Sequence, residues 1–117
     1  MSYTAQWTGN TPAITKGDDF SETFYLYNGS TLTNVTAFSG VQYCVKRALT
    51  TATTSVEYIT GNCVTAGETT WKVPIGKTNT ANLETNRYYY FCLQATDLNS
   101  LQFEVASDIL FVNHGLL

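Results

Sequence analysis

The stretch that decides the fold runs from Leu83 to Asp97, with the sequence LETNRYYYFCLQATD. A short polar turn leads into an aromatic strand, which stops at the turn residues 97–100. Read with a period of two, one face of the strand carries Tyr89, Phe91, Leu93 and Ala95. The other face carries Tyr88, Tyr90, Cys92, Gln94 and Thr96. The first face predicts a packed core, whereas two tyrosines and a cysteine on the second predict contact with a partner.

Several further segments alternate in the same way and end at Gly, Asn or Pro, as short strands do. Twenty Thr residues favour strands over helix interiors. The apolar residues that share one parity along these segments predict a core of Phe20, Phe24, Leu26, Val41, Tyr43, Val45, Val73, Phe91, Leu93 and Phe103. The terminal segment changes parity between Val105 and Ile109, which predicts a bulge around 106–108. Residues 77–84 are expected to hold one helical turn, with Thr78 as a possible cap.

This spacing of strands and turns predicts an all-β protein, a single Ig-like antiparallel β-sandwich of about seven to eight strands. A chain of 117 residues forms one core and not two. We therefore expect one domain over 1–117, with a short N-terminal arm (1–10) and a C-terminal tail (113–117). Within the arm, residues 3–7 alternate weakly and could also form an edge strand. The arm is too short and too polar to pack a core of its own, so we expect the domain to fold without it.

Charge and hydropathy argue against two classes of partner. Charged residues make up 13% of the chain and the net charge is −3, with no basic run, so we expect no nucleic-acid binding. No apolar segment is long enough to span a bilayer, and the N-terminus has no apolar core of a signal peptide. The sequence thus predicts a protein that is made in a cytoplasm, carries no signal peptide and does not bind a membrane.

No residue pattern encodes a reaction, and we expect neither an enzyme nor a bound cofactor. The one histidine, His114, lies in the tail beside Gly115, where solvation or packing is a simpler role than catalysis. Asp18 and Asp19 form an acidic pair, but calcium needs six or more oxygens. A turn-stabilising role is therefore the expected one, and no metal site is predicted.

The three cysteines occur at no metal-like spacing. Parity places Cys44 and Cys92 on the outward face of two strands that are plausible neighbours in one sheet. They could pair there across the sheet, unlike the core disulfide of antibody domains. Because synthesis in a cytoplasm favours free thiols, we expect reduced cysteines that a neighbouring subunit protects.

Three segments resemble a known family. Residues 17–20 (GDDF) open a strand, residues 73–75 (VPI) close one, and residues 88–97 precede a terminal strand. This order resembles the Ig-like N-terminal domain of phage baseplate upper proteins and related phage tail and head-fibre domains, over roughly Ile14 to Val112. The family usually has Gly before the aromatic strand, where this chain has Asn86 and Arg87. Asn tolerates the left-handed conformation, so the turn is expected to survive.

The resemblance implies a non-enzymatic bacteriophage virion protein, a capsid decoration or cement subunit or a neck or tail-baseplate adaptor. Its partners would be several copies of capsid, neck or tail proteins, and its location the virion. The alternatives are a carbohydrate-binding module for host-surface glycan, with Trp and Tyr rings against sugars, and a cytoplasmic protein-interaction domain. Trp7 and Trp71 are expected to cover the core or an edge, and the tyrosines could also be half-buried sheet residues. The candidate interface residues are Tyr3, Trp7, Tyr25, Tyr27, Cys44, Tyr88, Tyr90, Cys92 and His114.

Overall fold

A computed structural model describes residues 2–115, which fold into two packed β-sheets. The strands are β1 (Tyr3–Trp7), β2 (Ile14–Thr15), β3 (Phe20–Asn28), β4 (Thr31–Leu32), β5 (Phe38–Lys46), β6 (Tyr58–Asn62), β7 (Val64–Thr65), β8 (Thr70–Ile75), β9 (Arg87–Asp97) and β10 (Gln102–Asn113). A 3-10 turn covers Val35–Ala37, and one α-helical turn, α1, covers Lys77–Thr80. In the part of the chain that is described, no helix is long and apolar enough to cross a membrane.

The strand order is that of an Ig-like sandwich. One sheet runs β1-β3-β8-β7, with β4 paired to β3, and the other runs β2-β10-β9-β5-β6. The predicted all-β sandwich is therefore confirmed. The described residues form ten strands rather than seven or eight, because β2, β4 and β7 are two-residue pairings that the sequence pattern does not register. The sandwich is also not wholly antiparallel, since β2 runs parallel to β10.

The alternation of β9 places its apolar face in the core as predicted. Tyr89, Phe91, Leu93 and Ala95 are buried between the sheets, and the facing side chains of β5 and β3 are buried with them. Nine of the ten predicted core residues are buried. The exception is Phe103, which is only partly buried because it lies near the turn at the start of β10. Its ring meets that of Tyr3 edge to face, with centroids 5.0 Å apart.

Residues 3–7 form an edge strand of the first sheet and not a free arm, so of the two expectations for this segment the edge strand is confirmed. β1 pairs with β3 from Tyr3 opposite Asn28 to Trp7 opposite Phe24. The Trp7 ring packs against Phe24 and against Phe91 of the facing sheet, and its indole N–H donates to Asp108 at 3.1 Å. Removal of this segment would open the core, so the sandwich is not expected to fold without it.

A bulge in β10 decides which apolar side chains of the last strand are buried. The register with β9 shifts between Glu104 and Ala106, one or two residues before the predicted position. After the shift, Leu110 and Val112 point into the core and their neighbours point outward. Asn113, predicted as tail, is the last residue of β10. Residues 1, 116 and 117 of the predicted arm and tail lie outside the described residues.

Two turns fix the entry to β9. Asn86 adopts a φ of 60°, the left-handed conformation expected of it at this site. Asp19 accepts the N–H of Lys77 at 2.8 Å at the start of α1, which confirms a turn-stabilising role for this carboxylate. The predicted cap Thr78 lies within α1, because the N-cap is Gly76, two residues earlier. Buried Thr80 instead ties α1 to the carbonyl of Asp18 at 2.8 Å.

The ring of Tyr89 is fully buried, and its hydroxyl both accepts and donates a hydrogen bond. It accepts the backbone N–H of Glu84 at 2.8 Å and donates to the Glu57 carboxylate at 2.7 Å. A tyrosine near the start of this strand, bonded to the backbone a few residues upstream, is typical of Ig-like sandwiches. This contact joins β9 to both the preceding turn and the loop before β6.

Candidate functional site

The solvent side of the sheet β2-β10-β9-β5-β6, here called the outer face, carries most of the unusual side chains. The registers of β6, β5, β9 and β10 align them in rows across the sheet. The first three rows are Tyr58–Lys46–Tyr90–Ile109, Thr60–Cys44–Cys92–Ser107 and Asn62–Gln42–Gln94–Glu104, and Tyr88 lies opposite Phe111 in a fourth. The outer face is therefore apolar at one end, has thiols in the middle and is polar at the other end.

The apolar patch consists of Tyr88, Tyr90, Ile109 and Phe111. The Tyr88 side chain is 65% exposed and that of Ile109 is 51% exposed. The rings of Tyr88 and Phe111 meet edge to face, with centroids 5.0 Å apart. Tyr90 and Phe111 are half-buried beside them. Single exposed apolar residues are ordinary, but a contiguous apolar patch on the solvent side of a sheet is typical of an interaction surface.

The middle and polar end of the outer face form a shallow cavity of about 730 Å³. Cys44, Cys92 and Ser107 line its centre. At its polar end the Gln42 amide donates to the Asn62 side-chain oxygen at 3.4 Å. The opposite wall is the aromatic ring of Tyr58, with the Lys46 ammonium 5.9 Å from the ring centroid. The cavity thus combines amides, hydroxyls and one ring.

A group of charged side chains borders the apolar patch. Arg47 bonds the Glu84 carboxylate at 2.8 Å and lies 3.5 Å from Glu57, and Arg87 contacts Glu84 from the other side. The bond from Arg47 is the main reason that the pKa of Glu84 lies below its usual value. These contacts hold the loop before β6 against the turn before β9 and neutralise the charges there.

The three cysteines are free, and two of them share the outer face. Cys44 lies directly opposite Cys92, as the strand parities predicted, and both are half-buried. Burial, followed by the neighbouring Cys44, raises the pKa of Cys92. Cys63 lies elsewhere in the core, where burial raises its pKa to about 12. Cys63 is therefore a poor nucleophile, whereas the outer pair has access to solvent.

The predicted interface residues do not form one surface. Cys44, Tyr88, Tyr90 and Cys92 lie together on the outer face. Tyr25 and Tyr27 lie on β3, in the opposite sheet, where they are half-buried with ring centroids 6.4 Å apart. Tyr3 and Trp7 lie on β1 against the core, and exposed His114 follows the end of β10.

Sequence reasoning missed four residues of the outer face, Ile109, Phe111, Tyr58 and Lys46. The run from Ile109 to Val112 is apolar at every position, so it has no alternation from which a face could be assigned. The bulge in β10 alone decides that Ile109 and Phe111 point outward while the other two side chains point into the core. Tyr58 and Lys46 become neighbours through the β5–β6 register, which the long loop between these strands hides from local inspection.

No protein-family model matches the chain, and a search of curated proteins finds no similar sequence. Within residues 2–115, no group of three or more His, Cys, Asp or Glu side chains is placed to hold a metal ion. The arguments for a function therefore rest on the outer face itself and on the sequence resemblance.

Proposed function

We propose that this chain is a non-enzymatic structural protein of a bacteriophage virion, which acts through protein–protein contacts made by its outer face. The observation that carries the proposal is the apolar patch, a contiguous set of four large side chains on the solvent side of the sheet, of which Tyr88 and Ile109 are exposed. Aromatic residues on a flat, rigid sheet are enriched at protein interfaces. The virion part of the proposal comes from the resemblance of residues 17–20, 73–75 and 88–97 to phage baseplate domains.

The proposed partner is another virion protein, because the patch is bordered by charges that are already paired. Arg47, Arg87, Glu57 and Glu84 neutralise each other within the fold. The border therefore attracts neither a polyanion nor a strongly basic partner. A permanent protein contact, dominated by apolar burial with a polar rim, suits this distribution of charge.

Ile109→Asp tests the patch, and Leu98→Asp is the matched control. Leu98 is 69% exposed in the turn between β9 and β10, away from the patch. Each variant would be supplied from a plasmid to a phage that lacks the gene, and its copies per purified particle would be counted by quantitative mass spectrometry. Loss of one buried apolar anchor costs about 1.5–3 kcal/mol, which lowers the affinity by about 10- to 100-fold.

We expect the wild-type chain and Leu98→Asp at a fixed copy number, and Ile109→Asp strongly depleted. Absence of the wild-type chain from purified particles would refute the virion role. Equal incorporation of Ile109→Asp would refute the patch as the contact. Thermal unfolding of both purified variants shows whether a depleted variant has simply lost its fold.

The cavity favours a second function, binding of a host-surface carbohydrate. Gln42, Asn62 and Gln94 supply amides in one row, and Tyr58 supplies a ring at the wall. Planar amides and an aromatic face are the groups that sugars need for hydrogen bonds and stacking. Trp71 is buried and Trp7 packs in the core, so tyrosine is the ring for this role. Saturable binding of the purified protein to host cell-wall polymer, abolished in Tyr58→Ala, would support this function over the first.

A further inference from the structure

Cys44 and Cys92 face each other directly across the two central strands of their sheet. The two residues are Cα partners in the β5–β9 register, and both side chains point to the outer face. They also line the same open cavity, so a small reagent reaches them without unfolding. This pair is used neither by the core nor by the apolar patch.

The backbone hydrogen bonds of β5 and β9 to their other neighbours show whether Cys44 and Cys92 form a hydrogen-bonded or a non-hydrogen-bonded pair. The N–H of Cys63 donates to the carbonyl of Val41 at 2.8 Å, so Val41 bonds toward β6 and, by alternation, Cys44 bonds toward β9. The N–H of Asp97 donates to Leu101 at 2.9 Å, toward β10. By the same alternation, residue 92 bonds toward β5. The two cysteines therefore occupy a hydrogen-bonded antiparallel pair.

This geometry brings the thiols within bonding reach. The Cα atoms of a hydrogen-bonded pair lie about 5.5 Å apart, inside the range of roughly 4.4–6.8 Å that disulfides span. Cross-strand Cβ atoms lie about 4.5–5.5 Å apart, with hydrogen-bonded pairs toward the upper end of that range, whereas a disulfide needs about 3.5–4.5 Å. The two strands therefore have to approach each other by about 1 Å at this pair, and the resulting bond is strained.

We propose that Cys44 and Cys92 form a reversible intramolecular disulfide when the folded protein meets a low-molecular-weight disulfide such as oxidised glutathione. The thiolate of one cysteine attacks the oxidant, forms a mixed disulfide and releases one glutathione thiolate. The second cysteine then attacks the protein sulfur of that mixed disulfide and releases the other. Two protein thiols are oxidised, one glutathione disulfide is reduced to two thiols, and the two protons pass to glutathione.

The bond would make the outer face sensitive to redox conditions. It would join β5 to β9 at the centre of the cavity and fix the strands that carry Tyr90 and Lys46. Strained and exposed disulfides have higher reduction potentials than structural ones, so reducing conditions would reopen it. The inference does not depend on the virion role, because it concerns the isolated chain.

The full-length reduced protein would be incubated in a series of reduced and oxidised glutathione mixtures, quenched with acid, alkylated and mapped by mass spectrometry. We expect a peptide linked through Cys44 and Cys92 that increases with the oxidised fraction and disappears on return to reduced glutathione. Cys63→Ser is the matched control and should behave as the wild type does. Cys44→Ser should instead retain a glutathione adduct on Cys92.

Three results would overturn the inference. One is wild-type protein in which both cysteines carry glutathione without any linked peptide across the series. Another is a linkage that involves Cys63 or joins two chains. The third is no reaction of the native protein under conditions in which the unfolded protein reacts fully.

Discussion

Replacement of Tyr89 by Phe removes one buried hydroxyl and leaves the ring in place. That hydroxyl accepts the N–H of Glu84 at 2.8 Å and donates to the Glu57 carboxylate at 2.7 Å. The bond to the carboxylate is charge-assisted and contributes about 1.5–3 kcal/mol, whereas a neutral bond contributes about 0.5–1.5 kcal/mol. Because the ring stays in place and only the hydroxyl is lost, we expect a loss of about 2 kcal/mol at pH 7.

The matched control is Tyr43→Phe. Tyr43 is also buried, on the adjacent strand β5, but its hydroxyl makes one neutral bond, to the carbonyl of Pro74 at 3.3 Å. We expect this variant to lose about 0.5 kcal/mol. Guanidinium unfolding followed by tryptophan fluorescence measures both free energies, and a loss of about 2 kcal/mol corresponds to a melting temperature lower by about 8 °C.

The loss of stability in Tyr89→Phe should also depend on pH. Burial, with the bond to Glu57, raises the pKa of Tyr89 to about 12 from its ordinary value of 10.0. Between these values the folded state keeps a proton that the unfolded state releases, so the stability contributed by Tyr89 is complete below pH 10 and declines as the pH rises toward 12. The difference between wild type and Tyr89→Phe should therefore shrink above pH 10.

Two outcomes would refute this account of Tyr89. A loss no larger than that of Tyr43→Phe would mean that the two bonds do not stabilise the fold. A difference that stays constant up to pH 11 would mean that the hydroxyl titrates as it does in the unfolded chain, and a difference that grows would mean that folding lowers its pKa.

Two further predictions concern the core. Phe91→Ala should cost about 3–5 kcal/mol by cavity formation between the sheets, and a loss below about 1 kcal/mol in guanidinium unfolding would show that Phe91 does not carry the core. Gly61→Ala should cost about 1–3 kcal/mol, because an added Cβ would lie 2.5 Å from the hydroxyl of the buried Tyr43 ring, which would have to move. The control Gly40→Ala has no neighbour within 4 Å of its Cβ, and equal melting temperatures for the two alanine variants would contradict the close approach.

The sequence predicted the central strands well, because each has one face toward the core and one toward solvent. In β9 the alternation from Tyr89 to Ala95 places every side chain correctly. The same rule placed Cys44 and Cys92 outward, and the structure confirms it. These predictions needed only local information.

The failures occurred where the outcome depends on pairing between distant segments. Residues 3–7 alternate only weakly, and their assignment as a strand follows from pairing with β3 rather than from their own pattern. The apolar patch depends on the bulge in β10, whose position is set by the register with β9. The cavity is assembled from four strands, so no single segment carries its signature.

The parallel pairing of β2 with β10 has a mechanical consequence. Ile14 lies opposite Val112, and the N–H of Lys16 donates to the carbonyl of Asn113 at 3.1 Å. A pull toward the N-terminus on β2 and toward the C-terminus on β10 would slide two parallel strands in opposite directions. All bonds of the pair would then share the load in shear and would have to break together, instead of opening one after another as in an unzipped hairpin. Tension applied between Ile14 and Asn113 would therefore be resisted in shear at this pair, which the antiparallel hairpins of the same sandwich do not offer.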